Sequence, residues 1–354
     1  FLAPYETGAT EMDAKKIKAQ ALAIRAHAHF DLLRYFASDY ARNSTALGVP
    51  YITTFNPTTA LTSFPARNTV KENYDAIYED LNNALVSFRA GGNTTNNGSR
   101  NLIDSVVVYA MRTRVNYYAS QWNAVVTDAT IALNARPVSN SSSFIAAFTA
   151  AGEAAPVSEI YWAIPSDNAM RPGGSISGSS ASYRVTTATT AIIRSLGGAY
   201  TNTGINRFNQ SGIGVSRTLC WKYPGIRSFK VFRAGEMMLM RAEAKQRLSD
   251  ATALADLNAL RTERGVVTGS ETGAGLLNAI LLLRRVELLG EGHRWFDIKR
   301  STKTIARAEC SSATVPSTSR ASKCSISSSE RGWTMPIPFN DMKVNINLVQ
   351  NTGY

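Results

Sequence analysis

A mostly α-helical protein, built from helical hairpins that carry a loop-rich region, is what the sequence predicts, and three observations predict it. Apolar residues recur at three- and four-residue steps both before about residue 135 and after about residue 232. Capping residues and glycine pairs bound these periodic runs. Between them, from Asn140 to Lys230, Gly, Ser, Thr and Asn dominate and the helical period fades.

The elements follow in order. A first helix is expected from about Ala14 to Tyr40, with Ile17, Ala21, Ile24, Ala28, Leu32 and Tyr35 on one side. The clearest stripe is Val70, Tyr74, Ile77, Leu81, Leu85 and Phe88, with Asn68 or Thr69 as cap and Gly91-Gly92 as terminator. A third helix starts near Ile103 and carries Val107, Ala110, Met111 and Tyr118. Trp122 opens a fourth, which Arg136-Pro137 stops near Asn134. In the central region only short strand-like pieces such as Glu159–Ile164 stand out, and irregular regions of this length are usually functional. Helices return at about Phe232, where Met237, Met240, Ala244 and Leu248 form a stripe. Asp250 is placed to cap a further helix from Ala251 to Arg264 containing Leu254, Leu257 and Leu260. Small alanines at the crossing of these two (Ala242, Ala244, Ala255) suggest a tetratricopeptide-like hairpin. The pairs 103–134 and 232–264 are similarly built, the pair 11–40 with 69–89 is looser, and a last helix covers Leu276 to Gly290.

Composition narrows the function. The chain has 354 residues and is 44% hydrophobic, enough for one large core or two modest ones. It has no run of eighteen apolar residues, so no segment is expected to span a membrane as a helix. It opens on Phe1 with no signal-like segment, so a processed or truncated form is expected, with any targeting signal and lipid-bearing cysteine upstream. Net charge is +12, and residues 154–234 hold nine Lys/Arg against two acids. The charges are dispersed, without an arginine-rich run, zinc finger or RNP-type aromatic motif, so nucleic acid is not the expected partner. Cys220, Cys310, Cys324 and the three histidines lack metal-ligand spacing, and no cofactor is expected. A disulfide between Cys310 and Cys324 would close a Ser/Thr-rich loop in an oxidising compartment.

Five segments then resemble one family. They are residues 21–41 followed by GVPYI (48–52), RNTVKENYDAIYEDLNNAL (67–85), the hairpin GEMMLMRAEAKQRLSDATALADLNALRTERG (235–265), RRVELLGEGHRWFDIKR (284–300) and MPIPFNDMKVNINLVQNTGY (335–354). Their order and type resemble the SusD/RagB family. Leu283 stands where a Glu usually precedes the arginine pair, Thr352 replaces a Pro, and about a hundred residues normally found ahead of the first match are missing. The resemblance implies a single domain over 1–354, with a helical scaffold at 11–134 and 232–300, a variable ligand region at 140–230 and a C-terminal signature at 335–354. It implies a lipid-anchored protein on the outer face of a Gram-negative outer membrane. The implied partner is a SusC/RagA-like TonB-dependent β-barrel transporter, which the protein covers as a lid. The implied cargo is a glycan, or a peptide in the RagB-like branch.

No enzyme is expected. Arg285, Glu287, Glu291, Arg294, Asp297 and Arg300 suggest paired carboxylates of a glycosidase, but so many arginines would keep each acid ionised, which spoils a general acid. An ion-pair network is the better reading. His27 and His29 are two apart on a helix and cannot face one site, and Glu243 is expected to accept local hydrogen bonds. Candidate ligand contacts are Tyr40, Arg42, Asn43 and Tyr51 after the first helix, and Trp162, Tyr183, Trp221 and Tyr223 in or beside the central region. Trp122 and Trp295 are assigned to the core. The rival classes are a tetratricopeptide-type scaffold for protein partners and a glycoside hydrolase. If the basic segment rims the pocket, an anionic cargo should bind more weakly as salt rises. Replacing Glu291 or Arg294 by Ala should lower thermal stability rather than selectively remove binding.

Overall fold

The structure, a computed structural model, describes residues 2–54, 64–92, 99–149, 159–165, 185–203, 206–209, 216–220, 222–223, 228–306 and 324–354. It is mostly helical. The long helices are α1 (Glu11–Phe36), α2 (Val70–Ala90), α3 (Ser105–Tyr118), α4 (Trp122–Ala135), α8 (Ala234–Arg247), α9 (Ala253–Glu263), α10 (Gly273–Glu287) and α11 (Arg294–Ser301). Shorter helices α5 (Ser141–Thr149), α6 (Thr187–Leu196) and α7 (Ala199–Thr203) fall inside the central region, whose described residues are therefore more regular than its composition suggests. Strand β1 (Ile160–Ile164) pairs antiparallel with β4 (Phe229–Arg233), and β2 (Asn206–Asn209) with β3 (Ser216–Leu219).

Helices pair in sequence order: α1 on α2, α3 on α4, α8 on α9, with α4 and α10 also packed on α8. The first pair is not looser than the others; it is the most extensive. Thr69 closes a capping box with Glu72 at the start of α2, and its stripe Val70, Tyr74, Ile77, Leu81 and Phe88 is wholly buried. The stripe assigned to α1 is corrected. Its buried face is Ala19, Ala23, Ala26, Phe30 and Leu33, whereas Ile17, Ile24, Leu32 and Tyr35 are exposed. Both faces are apolar in the sequence. Alanines let the α2 backbone come close, so the small-residue face is the one that packs. The start of α9 is also corrected: Asp250 Oδ1 accepts from the Thr252 N–H and hydroxyl, and the helix begins at Ala253.

Helix α8 is the spine. Met237, Met240 and Ala244 join the core formed with α1–α4, β1 and β4, while Leu239 and Ala242 join a second core with α5, α7, α9 and α10. Because β4 runs directly into α8, Arg233 sits between sheet and helix. Its Nε donates to Glu291 Oε2 at 2.7 Å, its Nη2 to Glu291 Oε1 at 2.8 Å, and its Nη1 contacts Glu287 and Glu159. Arg264 at the end of α9 donates to Glu287 Oε2 at 3.1 Å and Glu159 Oε2 at 2.9 Å, and Lys222 Nζ to Glu291 Oε1 at 2.6 Å. A second buried pair, Arg114 to Glu236 at 2.9 Å, joins α3 to α8, with the guanidinium 3.6 Å from the Phe232 ring centre.

The C-terminal segment is stitched to the far end of α1. Arg67 donates to the carbonyls of Gly48, Leu47, Phe36 and Val349 and to Asn351 Oδ1. Lys299 Nζ caps α1 through the Arg34 and Ala37 carbonyls at 2.9 and 2.7 Å. Cys324 is disulfide-bonded and Cys220 is a buried free thiol; the remaining cysteine, Cys310, lies outside the described residues.

Removing Glu287 should leave Arg233 and Arg264 buried against one acid fewer. Glu287→Ala is expected to destabilise by about 3–5 kcal/mol in denaturant melts. Arg294 is exposed and makes no ion pair among the described residues, so Arg294→Ala should stay within about 0.5 kcal/mol of wild type.

Candidate functional site

The ion-pair set differs from the sequence expectation in membership and keeps its chemistry. Glu287, Glu291, Asp297 and Arg300 belong to buried pairs, but Arg285 contacts the Thr189 hydroxyl and Arg294 is outside the set. Arg233, Arg264, Lys222 and Arg284 supply the positive charge. Burial by itself would raise the Glu287 carboxyl, but Arg264 and Arg233 beside it hold it well below the carboxylate range. Glu291 is lowered against the same burial by Arg233 and Lys222. Acids held this firmly ionised do not serve as proton donors. Glu243 accepts locally from Arg247 at 3.2 Å, as expected, and also from two long-range partners, Arg300 at 3.0 Å and the Tyr117 hydroxyl.

Three of the nine cations of the basic segment are buried. Lys222 and Arg233 neutralise acids that lie outside 154–234, and Lys230 is buried with its Nζ on the Ser228 carbonyl. These charges do not add to a surface field.

The candidate aromatics divide. Trp162 is 8% exposed and stacks on Phe232, with the His27 ring edge-on at 5.7 Å. Tyr223 is fully buried, stacked on Phe229 and edge-on to Phe148. Tyr40 is buried and donates its hydroxyl to the Arg34 carbonyl. These three rings are core in this structure, because a period-breaking loop sequence does not show which way a ring turns. Tyr183 and Trp221 lie outside the described residues. Trp122 and Trp295 are partly buried against the first core.

What remains is a polar cluster beside the middle of α1 and α2, with Arg42 and Asn43 in the loop after α1. Tyr51 stacks on His29 with ring centres 4.0 Å apart, and its hydroxyl donates to Asp80 Oδ2 at 2.6 Å. His29 Nε2 accepts from the Ile52 N–H at 3.0 Å while Nδ1 lies 2.9 Å from the Arg25 carbonyl, which fixes Nδ1 as the protonated nitrogen. Arg25 grips Asp80 with Nε at 2.7 Å and Nη2 at 2.5 Å, and reaches the Thr53 carbonyl at 3.0 Å. On the other side of α2, Arg42 pairs with Asp75 and lies 5.1 Å from the Tyr78 ring centre; Asn43 is exposed beside it. Arg25, His29 and Asp80 were missed because they sit within helical patterns that read as scaffold. The structure brings Tyr51 to this polar cluster and keeps Arg42 and Asn43 in a neighbouring one.

His27 is buried and neutral: burial pushes it down to about 4, against the pull of Asp31. An unfolded His titrates near 6.5. The unfolded chain therefore takes up a proton first as pH falls, so this stability is present above about 6.5 and is lost toward pH 4. Melting at pH 5 against pH 7.5 should show a loss of about 2 kcal/mol from this group, and His27→Gln should flatten that part of the profile.

Comparisons with known proteins bear on the family and the fold. Residues 186–354 match the model of the SusD family, and residues 3–88 match a model described as starch-binding associating with outer membrane. No curated protein matches the chain. Solved structures do. A SusD-like carbohydrate-binding protein from Bacteroides vulgatus ATCC 8482 is 25% identical, with a TM-score of 0.71 over 85% of this chain and 66% of its own. A putative sugar-binding protein from the same organism is 24% identical, with a TM-score of 0.82 over 100% and 81%. A SusD superfamily protein from Bacteroides thetaiotaomicron VPI-5482 is 20% identical, with a TM-score of 0.81 over 99% and 82%. The chain thus spans about two thirds to four fifths of these relatives. Two family matches at opposite ends of the chain, joined by a shared fold, lead to one conclusion: this chain belongs to the SusD/RagB family.

Proposed function

We propose that the protein is a non-enzymatic nutrient-capture subunit at the outer membrane, binding a glycan and passing it to a TonB-dependent β-barrel transporter. The observation that carries this reading is the pair of family matches, one of them described as starch-binding and associated with the outer membrane. The single domain with its variable central region belongs to the same reading, as does lipid anchoring through a segment ahead of this chain. Tyr51, Arg42 and Asn43 are the ligand residues it favours, because Asn43 is exposed, Arg42 and Tyr51 are partly exposed, and together they carry a ring and hydrogen-bonding groups suited to a sugar. A peptide cargo is the second reading within the same family.

A glycan array read beside a peptide library on the purified chain tests the cargo. Tyr51→Ala should weaken a bound oligosaccharide about three- to tenfold, the worth of one aromatic contact. Binding confined to peptides would replace the first reading by the second. Pull-down from detergent-solubilised outer membranes should recover a large β-barrel, and recovery of the protein alone would count against the transporter.

A further inference from the structure

A groove of about 360 Å³ lies where the C-terminal segment folds back on the end of α1. Its walls are hydroxyl-rich, with Ser38, Ser328, Ser329, Thr334 and Thr352, and its few apolar sides come from Leu47, Trp333 and Tyr354. Two guanidinium groups face it, and they differ. Arg67 is buried with all its N–H groups engaged by carbonyl and amide oxygens and has no ion pair among the described residues. It contributes uncompensated positive charge but no free donor. Arg331 is exposed and lies 4.7 Å from the Tyr354 ring centre. It has no hydrogen bond or ion pair among the described residues, and the ring packs beside its guanidinium. The one acid at the groove, Glu330, is turned to the Ser327 N–H at 2.8 Å and the Ser327 hydroxyl at 3.1 Å.

We propose that this groove is a second subsite that binds an acidic saccharide, with Arg331 gripping a carboxylate. This deepens the glycan-capture reading and rests on it. A planar guanidinium meets a carboxylate through two parallel hydrogen bonds. A hydroxyl-lined wall suits a polyhydroxylated ring. An acidic peptide would need apolar or main-chain anchors, and the groove presents few. The volume falls at the small end of ligand pockets, which suits a terminal sugar or two.

Titration calorimetry of the full chain with digalacturonate, with maltose as neutral control and hexaglutamate as peptide control, tests it. Digalacturonate should bind, and Arg331→Gln should weaken it about tenfold, as expected for losing hydrogen bonds to a charged group. Any maltose binding should be unchanged in that variant. Digalacturonate binding that is equal in wild type and Arg331→Gln overturns the site. Maltose binding without digalacturonate binding overturns the subsite and leaves glycan capture standing. Hexaglutamate binding that matches digalacturonate and depends equally on Arg331 overturns the saccharide class. Binding of neither saccharide overturns the subsite, while the glycan array decides whether glycan capture stands.

Discussion

Everything else in this fold depends on Arg233. It stands where β4 becomes α8, and its guanidinium reaches Glu291, Glu287 and Glu159 at once. Those acids come from the end of α10, the turn after it and the approach to β1. Arg264 brings the end of α9 to two of the same carboxylates. One charged cluster therefore fixes how the two-stranded sheet, the α8–α9 hairpin and α10 meet. A buried pair is not in itself strong evidence of extra stability, since desolvation opposes it. Its effect here is on geometry: each carboxylate accepts from more than one cation, and few alternative packings would satisfy them all.

That cluster also keeps its carboxylates from serving as proton donors. A proton donor needs a carboxyl near neutrality, and these are driven the other way by the arginines around them. The same chemistry that builds the scaffold removes the hydrolase reading from its most suggestive motif. The proposed ligand contacts lie elsewhere, beside α1 and α2 and in the groove under the C-terminal segment. The groove lies near the far end of α1. Arg67 and Lys299 connect that end to the loop after it, to α11 and to the C-terminal segment.

Periodicity and local capping chemistry were enough to place most helices. Thr69 and Glu72, Asp104 and Gly91 act within a few residues of one another, so their roles are written in the sequence. The stripe of α2 is readable for a similar reason: one face is apolar and the other is not. In α1 both faces are apolar, and local pattern could not say which one packs. The alanine face won because helix approach is limited by side-chain size, a property of the partner helix as much as of α1.

The candidate site shows the same division. Ordered motifs determined the family, the helical class and the acids of the ion-pair set, because these are linear patterns, whereas most of the arginines that pair with them come from elsewhere in the chain. Burial of Trp162, Tyr223 and Tyr40 was decided by tertiary structure, since a ring beside a loop turns inward or outward according to what lies across from it. The partners of Tyr51 come from residues 22 to 29 positions away, and those of Arg67 from as far as Asn351. Sequence determines which groups are available; only the closed chain decides which carboxylates an arginine already holds and which arginine, like Arg331, has no such partner among the described residues.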